Sequence, residues 1–436
     1  MTTLDVLIIG AGAAGLMAAR ELAKAGKKVT ILEARDRIGG RIHTLEGAGF
    51  SVPVEAGAEF VHGDLPLTLQ LLKESGIPYR AIEGETWRVE QGAVLNESFP
   101  DDWSALIARL KKLKRDVSVA AFLDQQFGDD RYASLRNSVR RYVEGYDAAD
   151  PGRASALALL EEWTSKDDHQ YRLPGGYGKL MDFLREEGKA AGCLLHASTV
   201  VEEIRWEPGR VEVVTQRQRF VARRALVTVP LGVLRSETGS RGHLCFTPAL
   251  PEKRAAAQAI GFGAVIKILL EFRVAFWEDE AFQEPRRRMP GLGFLLSDAP
   301  VPVWWTQRPE RTAVLTGWLA GPGAEIRTTD EDELMEKALD SLAALFCVRK
   351  ATLQNTLRAG KVINWAADPF ARGAYAYATV ETREARKVLS QPVGDTLFFA
   401  GEALYEGPAG GTVEAALVSG RDAAGVIASG ERAPNR

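Results

Sequence analysis

The chain has 436 residues and a formal net charge of −3. That length exceeds one compact core and predicts two domains, and the near-neutral balance gives no electrostatic case for a nucleic acid or an anionic membrane surface as partner. Three distant cysteines (Cys193, Cys245 and Cys347) with no CxxC pair, and five scattered histidines, exclude a disulfide framework and a metal-ligand pattern.

The first element is an apolar strand at Asp5 to Ile9. Gly10, Gly12 and Gly15 follow in G-x-G-x-x-G spacing, then Leu16, Met17, Ala18, Leu22 and Ala23 at helical spacing, then a second strand, Val29 to Leu32, ending at Glu33. Strand, glycines, helix, strand and acid in this register predict a dinucleotide site. Gly10 permits the tight turn, Gly12 lets a pyrophosphate approach the backbone, and Gly15 lets helix and sheet pack closely. The helix start favours phosphate charge. Glu33 suits an unmodified adenosine ribose and repels a 2′-phosphate, so FAD or NAD is expected rather than NADP. The apolar N-terminal stretch has no basic leader and is used by this unit, so it is not expected to be a signal peptide.

Further along come Gly39-Gly40-Arg41 and the segment Ser51 to Gly63, which contains Glu55, Gly57, Ala58, Glu59 and His62. From about Asp102 to Trp163 the pattern is mostly helical, with Leu106, Leu110 and Leu113 on one face and Lys111, Lys112 and Lys114 on a solvated face. Leu173 to Gly178 breaks it, and a helix runs from about Lys179 to Ala190. Strands dominate Leu194 to Val229, and Val265 to Phe272 is another strand. Lys267 lies inside that apolar run, where a lone ammonium is costly and a partner is expected. Glu331 to Phe346 reads as an amphipathic helix, Thr396 to Ala400 as a buried strand followed by Gly401-Glu402, and Ala415 to Ala428 as the closing helix. The tail from Gly430 is polar. No run of about eighteen apolar residues is present, so no membrane span is expected. The cysteines read as reduced core residues of a cytoplasmic protein.

Taken together, these motifs resemble the flavin-dependent amine oxidases of the monoamine and polyamine oxidase superfamily over nearly the whole chain. The resemblance rests on Gly10 to Gly15 with Glu33, on Gly39-Gly40-Arg41 and Gly57-Ala58, and on Ala225 to Leu234. It continues through Lys267, Trp365, Gly373-Ala374-Tyr375, Phe399 to Glu402, and Gly411 to Ala416. It implies an α/β fold in which a Rossmann-type FAD-binding domain (1–75, 190–265 and 365–436) is interleaved with an α+β substrate domain carrying a helical subdomain (76–189 and 266–364). It places FAD against Gly10, Gly12, Ala14, Gly15, Glu33, Ala34, Arg35, Gly40, Arg41, Gly57, Ala58, Val201, Trp365, Gly401, Glu402, Thr412 and Val413. Covalent members carry a cysteine before the tyrosine; here Ala374 stands there, so FAD is expected to bind non-covalently.

The resemblance also implies the chemistry. Lys267 would hold a water near the flavin, Trp365 and Tyr375 would line the amine path, and His62 would lie near the substrate nitrogen. An amine, monoamine or polyamine, would lose a hydride to the flavin, the imine would hydrolyse, and O2 would become H2O2 in a monomer or homodimer. The second aromatic wall usual in the family is missing from Gly407-Pro408-Ala409-Gly410, so Tyr405, Trp304, Trp305 or Trp318 would have to supply it. An L-amino-acid oxidase would need a carboxylate-binding arginine; Arg140, Arg141 and Arg273 are present, with nothing in the sequence to place them. A desaturase acting on a large apolar substrate and a flavoprotein scaffold without turnover are the remaining alternatives.

Overall fold

The computed structural model describes residues 4–90, 92–96, 102–165, 169–279, 282, 288–325 and 330–430; the last six residues of the polar tail lie outside them. The opening strand, Leu4–Ile9, is central to an eight-stranded sheet. It pairs in parallel with Val29–Leu32 on one side and Arg219–Val227 on the other, with Ile8 opposite both Ile31 and Leu226. Its apolar run is continuous because both faces are covered. On one face Val6 and Ile8 pack with the helices Ala13–Lys24, Gly178–Ala190 and Val413–Ser429. On the other, Leu7 and Ile9 pack with Val211, Val213 and Phe399. The remaining strands come from distant segments: Leu194–His196 joins the Val29–Leu32 edge, and Leu397–Phe399 pairs in parallel with Arg219–Val227.

A second sheet of seven strands runs in the order Leu357–Asn364, Val265–Phe272, Val314–Ala320, Val303–Thr306, Leu292–Ser297, Glu85–Glu90 and Ala93–Asn96. Val265–Phe272 is buried at every position because strands flank it on both sides and the helix Glu331–Phe346 packs on the sheet through Leu334, Ala338, Leu342 and Phe346. A third cluster belongs to the helices Trp103–Leu110, Val119–Gln126, Ala133–Gly145 and Ala156–Ser165.

Elements expected at Lys179 to Ala190, Val265 to Phe272 and Glu331 to Phe346 are found at Gly178–Ala190, Val265–Phe272 and Glu331–Phe346. Two expectations differ. Lys111, Lys112 and Lys114 lie past the helix end at Leu110 rather than on its face; Lys111, the C-cap, complements the C-terminal end of the helix dipole. Of the cysteines only Cys193 is buried, whereas Cys245 and Cys347 are exposed; Cys347 terminates its helix in a left-handed turn. Among the described residues no helix is long and apolar enough to cross a membrane.

Candidate active site

The opening unit, the second sheet and the helical cluster enclose one cavity of about 1700 Å³. That is well above the roughly 300–1,000 Å³ of a single small-ligand pocket, so it accommodates a dinucleotide and a second molecule. At one end the helix Ala13–Lys24 starts at Gly12 without a side-chain cap. Its first intrahelical bond runs from Leu16 N to Gly12 O, which leaves the preceding N–H groups without helical partners. Gly10, Gly12 and Ala14 line the cavity. Gly15 does not; a Cβ there would stand 2.0 Å from Gly10 O, so its role is the close seating of helix on strand.

Glu33 is 3% exposed. Its Oε2 accepts from Ala11 N at 2.7 Å and its Oε1 from Arg35 N at 2.9 Å, which fixes the carboxylate while leaving lone pairs for a ribose hydroxyl. Ala34, Arg35 and Val201 line the same end, and Arg35 is held by Asp368 at 2.6 Å.

In the middle of the cavity Arg41 Nη1 donates to Ala374 O at 2.5 Å and to Glu402 Oε1 at 2.8 Å. Glu402 also accepts from Ala376 N. The Arg41 charge is thus already balanced by Glu402, and the pair borders the cavity together with Gly40, Gly57, Ala58 and Gly401. Gly57 has no alternative: a Cβ would lie 1.8 Å from Arg41 O. The final helix opens here too. Thr412 caps it by accepting from Ala415 N, and Thr412 and Val413 face the cavity. Two helix N-termini, a fixed ribose-type acid and open backbone at Gly401, where a Cβ would meet nothing within 4 Å, form a cradle that FAD fits. A diphosphate suits the helix starts electrostatically.

The other end is lined by His62, Lys267, Trp365 and Tyr375. Lys267 is 1% exposed. Its Nζ donates to Glu59 Oε2 at 2.6 Å and to Gly57 O at 3.1 Å. Glu59 Oε1 accepts from Arg172 Nη2 at 2.8 Å and Trp305 Nε1 at 3.0 Å. Burial alone would raise the Glu59 carboxyl, but the Lys267 and Arg172 charges, with the bonds from Lys267 and Trp305, outweigh it and hold it below the ordinary carboxylate range. Trp365 Nε1 donates to Ala56 O. The Tyr375 hydroxyl donates to Tyr146 O at 2.6 Å, and burial pushes that phenol well above its usual range. His62 Nδ1 lies 3.3 Å from the Tyr146 hydroxyl.

Of the four aromatic residues considered for the missing wall, Trp305 and Trp318 line the cavity, with ring centroids 5.7 Å apart. Trp304 is fully buried and donates to Val301 O, and neither it nor Tyr405 reaches the lining. Arg141 lines the cavity, where Glu90 pairs with it at 3.0 Å; Arg140 and Arg273 do not.

Sequence reasoning missed Arg172 and Tyr146. Arg172 sits in a three-residue strand, Gln170–Arg172, with no local signal. Tyr142 and Tyr146 are i,i+4 on a helix and its end, stacked at 5.1 Å; that spacing was the available clue.

The family described as flavin containing amine oxidoreductase matches residues 13–428. Polyamine oxidase 3 of Oryza sativa subsp. japonica is 30% identical over 96% of this chain and 89% of its own length. Lysine-specific histone demethylase 1 homolog 3 of Arabidopsis thaliana is 27% identical over 97% of this chain, which spans only 30% of that relative; for other demethylase relatives the share is about half, 57% and 50% in two of them. Among solved structures, cyclohexylamine oxidase from Brevibacterium oxydans superposes with a TM-score of 0.79 at 21% identity, covering 98% of this chain and 99% of that one. The fold, the cavity and the near-complete family match agree: the chain belongs to the flavin-containing amine oxidoreductases.

Proposed function

We propose that this protein oxidises a small amine to an imine, which water hydrolyses to an aldehyde and a smaller amine or ammonia, while O2 is reduced to H2O2. The observation that carries the reading is the burial of Lys267, a charged residue, in the wall of the cavity that also holds the dinucleotide-type residues. FAD, bound non-covalently beside Ala374, would supply the hydride acceptor and carry the electrons to oxygen.

This chain's residues do the rest. Tyr375, tied by its hydroxyl to Tyr146 O, presents a fixed ring, and Trp365 is tied to Ala56 O in the same way. Lys267 keeps a cation at the cavity wall and, with two of its three N–H groups engaged, retains a donor for a water. The cavity lining carries more acidic than basic side chains, Asp64, Asp147, Glu161 and Glu162 among the former and Arg88, Arg141 and Arg386 among the latter, so its field favours entry of a cation. The reacting nitrogen must then give up its proton, and activity is expected to rise with pH toward the amine pKa. Domain roles follow the interleaved division given above.

A peroxide-release screen of the purified protein over monoamines, polyamines and amino acids tests the reading. Release from amines only is expected; release from amino acids only would transfer the substrate carboxylate to Arg141 and overturn it. Lys267→Met is expected to slow reduction or reoxidation of the flavin at least about tenfold, and unchanged stopped-flow rates would remove Lys267 from the chemistry.

A further inference from the structure

The carboxylate of Glu59 is shared in an ordered way. Among the described residues, one oxygen takes only Lys267, and the other takes Arg172 and Trp305. Arg172 is separately anchored by Thr306 O and Arg308 O, so Glu59 is held from behind and offers its free side to the lysine. Lys267 also lies over the Trp305 ring, 5.5 Å from its centroid. Thus one carboxylate fixes both a cation and an aromatic wall of the cavity.

We infer that Glu59 is a positioning residue for Lys267: it holds the ammonium at Gly57 O with one N–H left to the cavity, and it acts on the oxidative chemistry only through that lysine. The inference rests on the amine-oxidase reading above. The alternative is that the Glu59–Lys267–Arg172 cluster serves folding alone. Physical chemistry argues against that. Desolvating three charges is expensive, and well-packed apolar residues in place of such a cluster are often neutral or stabilising. Lys267 itself needs neither Arg172 nor Trp305 for its two bonds, yet the Glu59 carboxylate is engaged by both, as an orienting group would be.

The test uses the holoenzyme and needs no amine. The flavin is photoreduced anaerobically, mixed with O2, and reoxidation is followed by absorbance from pH 6 to 9. Glu59→Gln, which keeps the shape, is expected to slow reoxidation at least about tenfold, and Glu59→Asp to recover part of the rate. Arg172→Gln is expected to lose less than Glu59→Gln, because Trp305 still holds the same Glu59 oxygen once Arg172 is removed. Glu59→Gln/Lys267→Met should match Lys267→Met within about twofold, since two residues acting as one unit are not additive.

Among the described residues the titratable groups facing this cluster are Glu55, across from Lys267, Glu59 and Arg172, and Glu310, across from Arg172. In Glu59→Gln the lysine faces Arg172 without the intervening carboxylate, so reoxidation should gain a pH dependence that is absent from the double variant; Glu55→Gln identifies any share of Glu55 in it. A wild-type rate in Glu59→Gln overturns the inference. So does an equal loss in Arg172→Gln, or multiplying effects in the double variant. If Lys267→Met alone reoxidises normally, the lysine reading fails instead. Flavin content and Tm are recorded for each variant; a variant of Glu59 that loses only Tm, with its pH profile unmoved, assigns the residue to folding.

Discussion

Replacing Glu55 by glutamine gives the sharpest test of the electrostatics beneath the cavity. Glu55 is 8% exposed. Its Oε1 accepts from Tyr177 N at 2.6 Å and from Thr44 Oγ1 at 2.9 Å, and its Oε2 has no partner among the described residues. Burial, only partly offset by the Tyr177 bond and the Lys267 charge, pushes the carboxyl from 4.5 up to about 7. The folded protein therefore binds this proton more tightly than the unfolded chain. The resulting stabilisation is complete below about pH 4.5 and is lost as pH rises through about 7. At about 1.4 kcal/mol per pH unit, that gap corresponds to about 3 kcal/mol. Glutamine keeps the Oε1 acceptor and does not titrate, so Glu55→Gln should gain about 3 kcal/mol relative to wild type between pH 4.5 and 8. For a chain of this size the unfolding entropy is roughly 0.9 kcal/mol/K, so the difference between the two Tm values should move by about 3–4 °C. Thermal unfolding of both holoenzymes, scanned from pH 4.5 to 8.5, reads it. A Tm difference that stays constant across that range would refute the assignment of a buried, protonated Glu55.

Three further outcomes follow from the geometry. Gly57→Ala should abolish flavin retention, read as the ratio of flavin to protein absorbance, because its Cβ would stand 1.8 Å from Arg41 O and displace the Arg41–Glu402 pair. Tyr375→Phe should leave the alkaline side of the activity profile unchanged below about pH 10, since that phenol is held neutral by burial; a limb that disappears in the variant would contradict this. Thr412→Val should cost about 1 kcal/mol through loss of the cap on Ala415 N, measured by denaturant midpoint.

The residues expected to hold the dinucleotide were legible as one end of the cavity because they are local. Gly10, Gly12, Gly15 and Glu33 fall within two dozen residues, and each answers to a backbone constraint that the sequence states directly. Lys267 was legible for another reason: a lysine in an apolar strand requires a partner. Which partner was not legible. Glu59 lies 208 positions from Lys267, and Arg172, between them in the chain, lies 113 from Glu59; their meeting depends on how the second sheet packs against the segment after Gly57. Trp304 and Trp305 show the same limit. Adjacent residues on a strand point to opposite faces, so one faces the cavity and the other is core; which of the two could not be decided without knowing which face of the sheet is covered.

That contrast bears on how substrate is chosen. The dinucleotide end depends on backbone geometry, where Gly15 and Gly57 admit no side chain, so it tolerates little change. The end proposed for the amine is assembled from side chains on separate elements: His62 after the opening unit, Tyr146 at a helix end, Trp305 and Trp318 on the second sheet, and Tyr375 in a short strand of its own. Function on a shared fold resides in such grafted side chains, and relatives at 27–30% identity can keep the first end while rebuilding the second. The Glu59–Lys267 pair joins the two, since Lys267 also binds Gly57 O. A change at Glu59 should therefore reach the flavin chemistry for every amine tested, whereas changes at His62, Tyr146 or Trp318 should redistribute activity among amines.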